Sequence, residues 1–263
     1  MRDRDPTSAT PAGAAILFDW GETLVSVPGM IHSVERHLAC VEKMYRGADD
    51  GACAEDRFGV PWSAFREAYL AEVAHRLAHS TRSGREHSFE DRLAGALARL
   101  DVARPDPDVL SGLVDRLGEH IVADATLVDG VEDVVPELAR HYCLGIVSNY
   151  PCAPIVARTM ERFGLLDCFS TVVVSGEWGW MKPHPGIYRE ALRRLDVAHD
   201  RALFVGDDLL NDVKGPKAVG MRAAWFAPGR NGEDAADADA HVDDLRELLA
   251  WCRVHHPPAR KHP

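Results

Sequence analysis

Four short polar clusters in this chain each follow an apolar run, and their residue types suit the transfer of a phosphoryl group. Asp19 and Thr23 follow Ala15-Ile16-Leu17-Phe18, and Ser148-Asn149 follow Leu144-Gly145-Ile146-Val147. Lys182 sits in Gly179-Trp180-Met181-Lys182-Pro183-His184-Pro185, a loop stiffened by two prolines. Asp207-Asp208 follow Ala202-Leu203-Phe204-Val205, with Asn211 and Asp212 beyond. A carboxylate attacking a phosphate meets charge repulsion, so a cation must neutralise both. Asp19 with Asp207 or Asp208 offers the hard oxygen ligands that Mg²⁺ takes. Lys182 would hold the nucleophile and phosphoryl oxygens as a point charge, while Ser148 and backbone amides take a remaining oxygen. The chain has only five lysines, Lys43, Lys182, Lys214, Lys217 and Lys261, so one at a strand end carries weight.

Such clusters converge only if parallel strands carry them to one edge of a sheet. Strand-like runs occur at 14–18, 143–147, 171–175, 202–205 and 222–226, with helical patterns between most of them. Val131, Val134, Val135 and Leu138 share one helix face; so do Ile155, Val156, Met160 and Phe163, and then Ile187, Ala191, Leu192 and Leu195. Near-continuous apolar strands alternating with helices predict an α/β fold, a parallel sheet covered on both faces. Residues 27–124 break the rhythm with three or four amphipathic helices, near 33–46, 62–79, 88–100 and 108–122. The second carries a stripe of Phe65, Tyr69, Leu70, Val73 and Leu77. A helical block inserted after the first strand lies over Asp19, placed as a lid. The expected division is a tail at 1–13, a core at 14–26 and 125–252, a cap at 27–124, and a solvated basic tail at 253–263.

The net charge of −11 argues against a nucleic-acid surface. No apolar run nears the roughly 18 residues of a membrane helix, and the first eleven residues lack a signal-peptide apolar core. Six scattered cysteines without a C-x-x-C pair read as reduced thiols of a cytoplasmic protein. The expected partner is a small molecule, with no membrane or nucleic acid; oligomeric state stays open.

Taken together, Phe18-Asp19-x-x-x-Thr23-Leu24, Val147-Ser148-Asn149, Ser175-x-Glu177-x-Gly179-x-x-Lys182-Pro183-x-Pro185-x-Ile187-Tyr188 and Val205-Gly206-Asp207-Asp208-x-x-Asn211-Asp212-Val213-x-Gly215-x-x-x-x-Gly220-Met221 resemble the four motifs of the haloacid dehalogenase superfamily. The third and fourth are the most specific. The resemblance implies a Rossmann-like core with a C1-type cap and an Mg²⁺-dependent hydrolase of a small phosphorylated metabolite. It implies Asp19 as nucleophile, Ser148 as phosphate binder and Lys182 as the motif-three lysine; Thr23 and Asn149, at the same strand ends, are read as further phosphate-binding candidates. Asp207 becomes a metal ligand, Asp208 a further candidate, Asp212 their outer support, and the Gly21 carbonyl another ligand.

One position departs from the pattern. Phosphatases of this family carry a second aspartate where this chain has Gly21, to protonate the leaving group and then activate water. General acid–base help is worth about 10² to 10⁴ in rate. Glu22 is one substitute, although its side chain starts one residue further along a tight turn. Other readings are a 2-haloacid dehalogenase, a phosphonoacetaldehyde hydrolase, or a binding module that has lost efficient catalysis. The phosphonoacetaldehyde hydrolases need a cap lysine, and the only one here, Lys43, reads as a solvated helix residue. Trp20, Trp178 and Trp180 flank the site as pocket wall or as packing, and Tyr150-Pro151 as pocket lining or as helix entry.

Overall fold

The computed structural model describes residues 13–27, 34–47, 53–230 and 237–258. The expected tails at 1–12 and 259–263 lie outside the described residues. In chain order the elements begin with β1 (Ala15–Phe18), β2 (Val25–Ser26) and five helices, α1 (Val34–Arg46), α2 (Ala54–Phe58), α3 (Trp62–Ser83), α4 (Phe89–Ala98) and α5 (Pro107–Asp124). There follow β3 (Thr126–Leu127), α6 (Val131–Ala139), β4 (Cys143–Ser148), α7 (Ala153–Arg162), β5 (Phe169–Val174), α8 (Ser175–Trp178) and α9 (Pro185–Leu195). The chain continues through β6 (Ala202–Gly206), a wide helical turn (Leu209–Lys214), α10 (Gly215–Ala218), β7 (Arg222–Phe226), β8 (Ala240–Val242) and α11 (Glu247–His255).

The sheet is six-stranded and parallel, in the order β5-β4-β1-β6-β7-β8. β1 is central because its residues are apolar on both faces. Ile16 and Phe18 join one core cluster, and Ala15 and Leu17 the opposite one. β6 divides the same way, with Leu203 and Val205 on one side and Ala202 and Phe204 on the other. The connections leave β1 toward β4 on one side and β6 on the other, making its carboxyl end the switch point where open α/β sheets bind ligands. The close fit of β4 over β1 depends on Gly145: a Cβ there would lie 2.6 Å from Leu17 Cδ2 and 2.8 Å from Thr171 Cγ2.

The five expected strands are present. β8 was not expected, since Ala-His-Val has little apolar pattern; pairing with β7 makes it a strand. The insert enters and leaves through the antiparallel pair β2–β3, with Val25 opposite Leu127 and Ser26 opposite Thr126. The short helix α2 was also unforeseen. Phe65 and Tyr69 of the predicted stripe are buried, but Leu77 is 60% exposed, because α3 runs past the edge of the insert's core there.

The predicted basic tail needs correction at its start. Arg253, Val254 and His255 complete α11. His256 is 3% exposed: its Nε2 lies 3.0 Å from the Ala15 carbonyl and its ring stacks on Tyr142. Tyr142 in turn donates its hydroxyl to the His256 carbonyl at 2.8 Å. A solvated histidine tolerates alanine to within about 0.5 kcal/mol. His256→Ala is expected instead to cost about 1–3 kcal/mol by leaving buried groups unpaired, read as a lower urea midpoint at neutral pH.

Candidate active site

Every predicted cluster reaches the carboxyl edge of the sheet. Asp19 leaves β1 with its amide donating to the Val205 carbonyl at 2.9 Å, which ties it to β6. The chain then reverses at once, as Leu24 and Val25 amides both return to the Trp20 carbonyl. Glu22 takes a left-handed conformation in this turn (φ 56°), while Gly21 lies outside that region. Gly21 is therefore not required by backbone strain.

Lys182 is the hub. Its Nζ lies 2.8 Å from Asp19 Oδ1 and 2.8 Å from Asp212 Oδ1, with all three groups at least nine-tenths buried. Asp212 is held in turn by the Asp208 amide, which donates to its Oδ2 at 3.0 Å. Oxygens of Asp19, Asp207 and Asp212 lie within 4.8 Å of one another. Burial works against the Lys182 charge, but Asp19 and Asp212 outweigh it and hold the ammonium's pKa above the usual lysine range. Burial, with Asp19 next to it, pushes Asp207 up to about 6. Asp212 is also pushed up, chiefly by desolvation. One ammonium among three carboxylates leaves a surplus of negative charge, and the neighbouring Asp19 adds to desolvation in both shifts.

The other residues divide. Ser148 is fully buried and its Oγ has no hydrogen-bond partner among the described residues, which leaves it free for a ligand. Thr23 makes only a long 3.5 Å contact with Asp207 Oδ1. Asn149, expected among the phosphate binders, is committed elsewhere: Nδ2 donates to the Lys182 carbonyl at 3.0 Å, and Oδ1 accepts the Lys182 amide at 2.6 Å. Asp208, a candidate metal ligand, accepts from the Leu210 and Asn211 amides through Oδ1. It caps the helical turn that carries Asp212 and stands outside the three-acid cluster. Glu22 lines the cavity, yet its carboxylate accepts from Ser26 Oγ at 3.3 Å.

A cavity of about 470 Å³ lies between the insert and this edge. Tyr150 and Pro151 line it, and the tryptophans do not. Trp20 is buried edge-on against Tyr150 (4.8 Å), while Trp180 stacks between His184 and the Arg85 guanidinium. Lys43 is exposed on α1. Sequence reasoning missed the insert's polar contributors His37, Tyr69, Glu86 and Arg92, which follow no motif. It also missed Trp225, whose indole N–H holds the Asp207 carbonyl at 2.9 Å. The turn between α3 and α4 latches onto the loop before Lys182. Met181 N donates to the Gly84 carbonyl (2.8 Å), Glu86 N to the Gly179 carbonyl (3.3 Å), and Ser175 Oγ to the Glu86 carboxylate (2.9 Å).

A switch-point site of buried acids and a lysine, roofed by helices inserted after the first strand, defines a capped α/β hydrolase. The family model described as "Haloacid dehalogenase-like hydrolase" matches residues 71–226, and this chain belongs to that family. It is 37% identical to a glyceraldehyde 3-phosphate phosphatase of Pyrococcus abyssi, over 82% of each chain. It is 30% identical to a ribulose-1,5-bisphosphate 5-phosphatase of Halopiger xanaduensis, over 89% of this chain and 97% of that one. Two other curated relatives are matched over only 35% and 38% of their length. Among solved structures, an HAD phosphatase of Thermococcus onnurineus superposes with a TM-score of 0.61, covering 90% of this chain and 97% of that one at 24% identity. A 2-haloacid dehalogenase of Pseudomonas syringae gives 0.62, covering 90% and 98%, also at 24%. The fold is thus shared by both chemistries. No helix among the described residues is long and apolar enough to cross a membrane.

One buried group of the cavity gives a pH prediction. His37 lies between the rings of Tyr69 and Phe89, and burial, with Arg92 nearby, lowers its pKa from 6.5 to about 4. The unfolded chain takes up this proton below pH 6.5 while the folded chain resists until about 4. The stability is therefore fully present above 6.5 and lost as pH falls toward 4, to a limit of about 3 kcal/mol. Urea midpoints at pH 7.5 and 4.5 should differ less in His37→Gln than in the wild type.

Proposed function

We propose that this chain is an Mg²⁺-dependent phosphoric monoester hydrolase of the cytoplasm, acting through an aspartyl-phosphate at Asp19. The observation that carries this reading is the charge balance, three clustered carboxylates against one ammonium. Buried surplus charge is costly unless a cation joins it, and hard carboxylate oxygens suit Mg²⁺. Asp19, Asp207 and the Gly21 carbonyl would hold the ion, with Asp212 behind them; when bound, it neutralises phosphoryl oxygens that otherwise repel the nucleophile. A metal-free dehalogenase has no use for Asp207 in this cluster, so the charge balance favours the phosphatase.

The protein's own residues account for the rest. Lys182 fixes one oxygen of Asp19 and leaves the second to bond to phosphorus as the ester P–O bond breaks. The Ser148 hydroxyl, without a hydrogen-bond partner among the described residues, donates to a phosphoryl oxygen. The departing oxygen takes a proton, which Gly21 cannot give; Glu22 is the carboxyl group at hand in the same turn. Water then cleaves the acyl-phosphate, releasing phosphate and restoring the Asp19 carboxylate. The relatives' substrates, glyceraldehyde 3-phosphate and ribulose 1,5-bisphosphate, support a phosphorylated metabolite as the class.

A panel of phosphate esters with and without Mg²⁺ tests this. Turnover is expected to require the ion and to fall to background in Asp19→Asn with the fold unchanged by circular dichroism. Retained turnover in that variant removes Asp19 as nucleophile. Chloride release from 2-haloacids without Mg²⁺ would favour the dehalogenase, and ion binding without turnover the binding module.

Gly21→Asp tests the missing acid, and its backbone conformation accepts a side chain. Alkyl esters, which leave poorly, should gain up to about 10²-fold in kcat, and aryl esters much less. Mg²⁺ affinity measured alongside separates protonation from a new metal contact. Equal gains for both ester classes would show that leaving-group protonation is not limiting.

A further inference from the structure

The cavity above Asp19 has two unlike walls. The sheet edge supplies the carboxylates, Lys182 and Asn149, while the insert supplies mainly Val34, Leu38, Leu70, Val73, Leu77 and Phe89. Val34 and Leu77 are each 60% exposed, and both open onto this cavity. Large apolar side chains left exposed at the mouth of a cavity suit an apolar ligand. Polar groups of the insert wall are mostly paired with one another. His37 Nε2 and the Tyr69 hydroxyl lie 2.9 Å apart, and Glu86 receives the Ser175 hydroxyl and the His87 amide. Arg92 is the least committed of them: its bond to Glu86 is 3.3 Å long, and its Nε is buried without a partner among the described residues.

A three-carbon sugar phosphate fits this wall poorly. Its hydroxyl groups would face aliphatic carbon and lose their hydrogen bonds. It would also leave much of a cavity of about 470 Å³ unfilled, a volume of the order that accepts drug-sized ligands. We propose that the site selects a bulky, mainly apolar phosphate monoester whose organic part bears an acceptor or anionic group met by Arg92. This rests on the phosphatase reading and moves its substrate away from the small hydrophilic esters named for the relatives.

Two primary alkyl esters, 2-(1-naphthyl)ethyl phosphate and glycerol 3-phosphate, separate size and polarity from leaving-group chemistry. With Mg²⁺ present, kcat/KM of the wild type and calorimetric binding to Asp19→Asn are both expected to favour the naphthyl ester by about 100-fold. Leu77→Asp places a charge in the wall at an exposed position that tolerates it, and should shrink that preference about tenfold, mainly through KM. Equal binding of the two esters, preference for glycerol 3-phosphate, or binding of neither overturns the proposal. Tight naphthyl binding with no turnover of either ester or of an aryl phosphate overturns the phosphatase reading and leaves this one standing. The Arg92 arm uses a naphthyl ester carrying a carboxylate, in a Glu86→Gln background so that no buried acid is left unpaired. Adding Arg92→Met there should raise KM for the carboxylated ester about tenfold and leave the parent ester's KM within twofold. An equal change for both removes Arg92 from the assignment.

Discussion

The Lys182 ammonium binds the site together, because it neutralises carboxylates delivered by two separate parts of the chain. Asp19 comes from the end of β1, Asp212 from the turn after β6, and both meet Nζ at 2.8 Å. Burial at that depth works against the lysine's charge, and the two acids beside it outweigh that penalty. The ion pairs therefore require the strands to end level. The parallel register does this by setting Phe18 beside Val205 and Ile146. Asn149 contributes from β4's end by gripping the Lys182 backbone on both its amide and its carbonyl. Two acids thus converge on one nitrogen, and a third strand end holds the backbone that carries it.

What the sequence made legible follows from how local each cause is. β1 could be read because four consecutive apolar residues need cover on both faces, and that is a property of the segment itself. Asp19, Ser148 and Asp207 could be placed because each closely follows such a segment, and Lys182 because its proline-flanked loop carries a recognisable motif. β8 could not, since Ala240–Val242 becomes a strand only by lying beside β7. His256 could not, because burying a histidine near the chain end depends on a carbonyl 241 positions earlier. The different parts of Asn149 and Asp208 were hidden for a related reason. An amide or carboxylate at a strand end suits a ligand and a backbone cap equally, and only the path of the neighbouring chain decides between them.

The insert was legible as a helical block, but its contribution to the cavity was not. His37, Tyr69 and Arg92 share the periodicity of their helices with ordinary core and surface positions. Their common orientation arises from helix packing, with α3 against α4 and α1 against α5. The Gly21 substitution is the reverse case: the sequence displays it at once, and the structure adds that the turn does not demand a glycine there.

The latch between the α3–α4 turn and the Lys182 loop bears on how this architecture can be inherited. Its bonds run from the main chain of residues 84–86 to the main chain of 179 and 181, reinforced by Arg85 over Trp180. Roof and machinery are therefore stitched together away from the hinge strands where an insertion would be spliced. A recombination event that exchanged the helical block at β2 and β3 would bring a foreign turn against the Lys182 loop. A transplanted block would therefore have to rebuild that seam, with a turn of the same path, before it could close over the same floor.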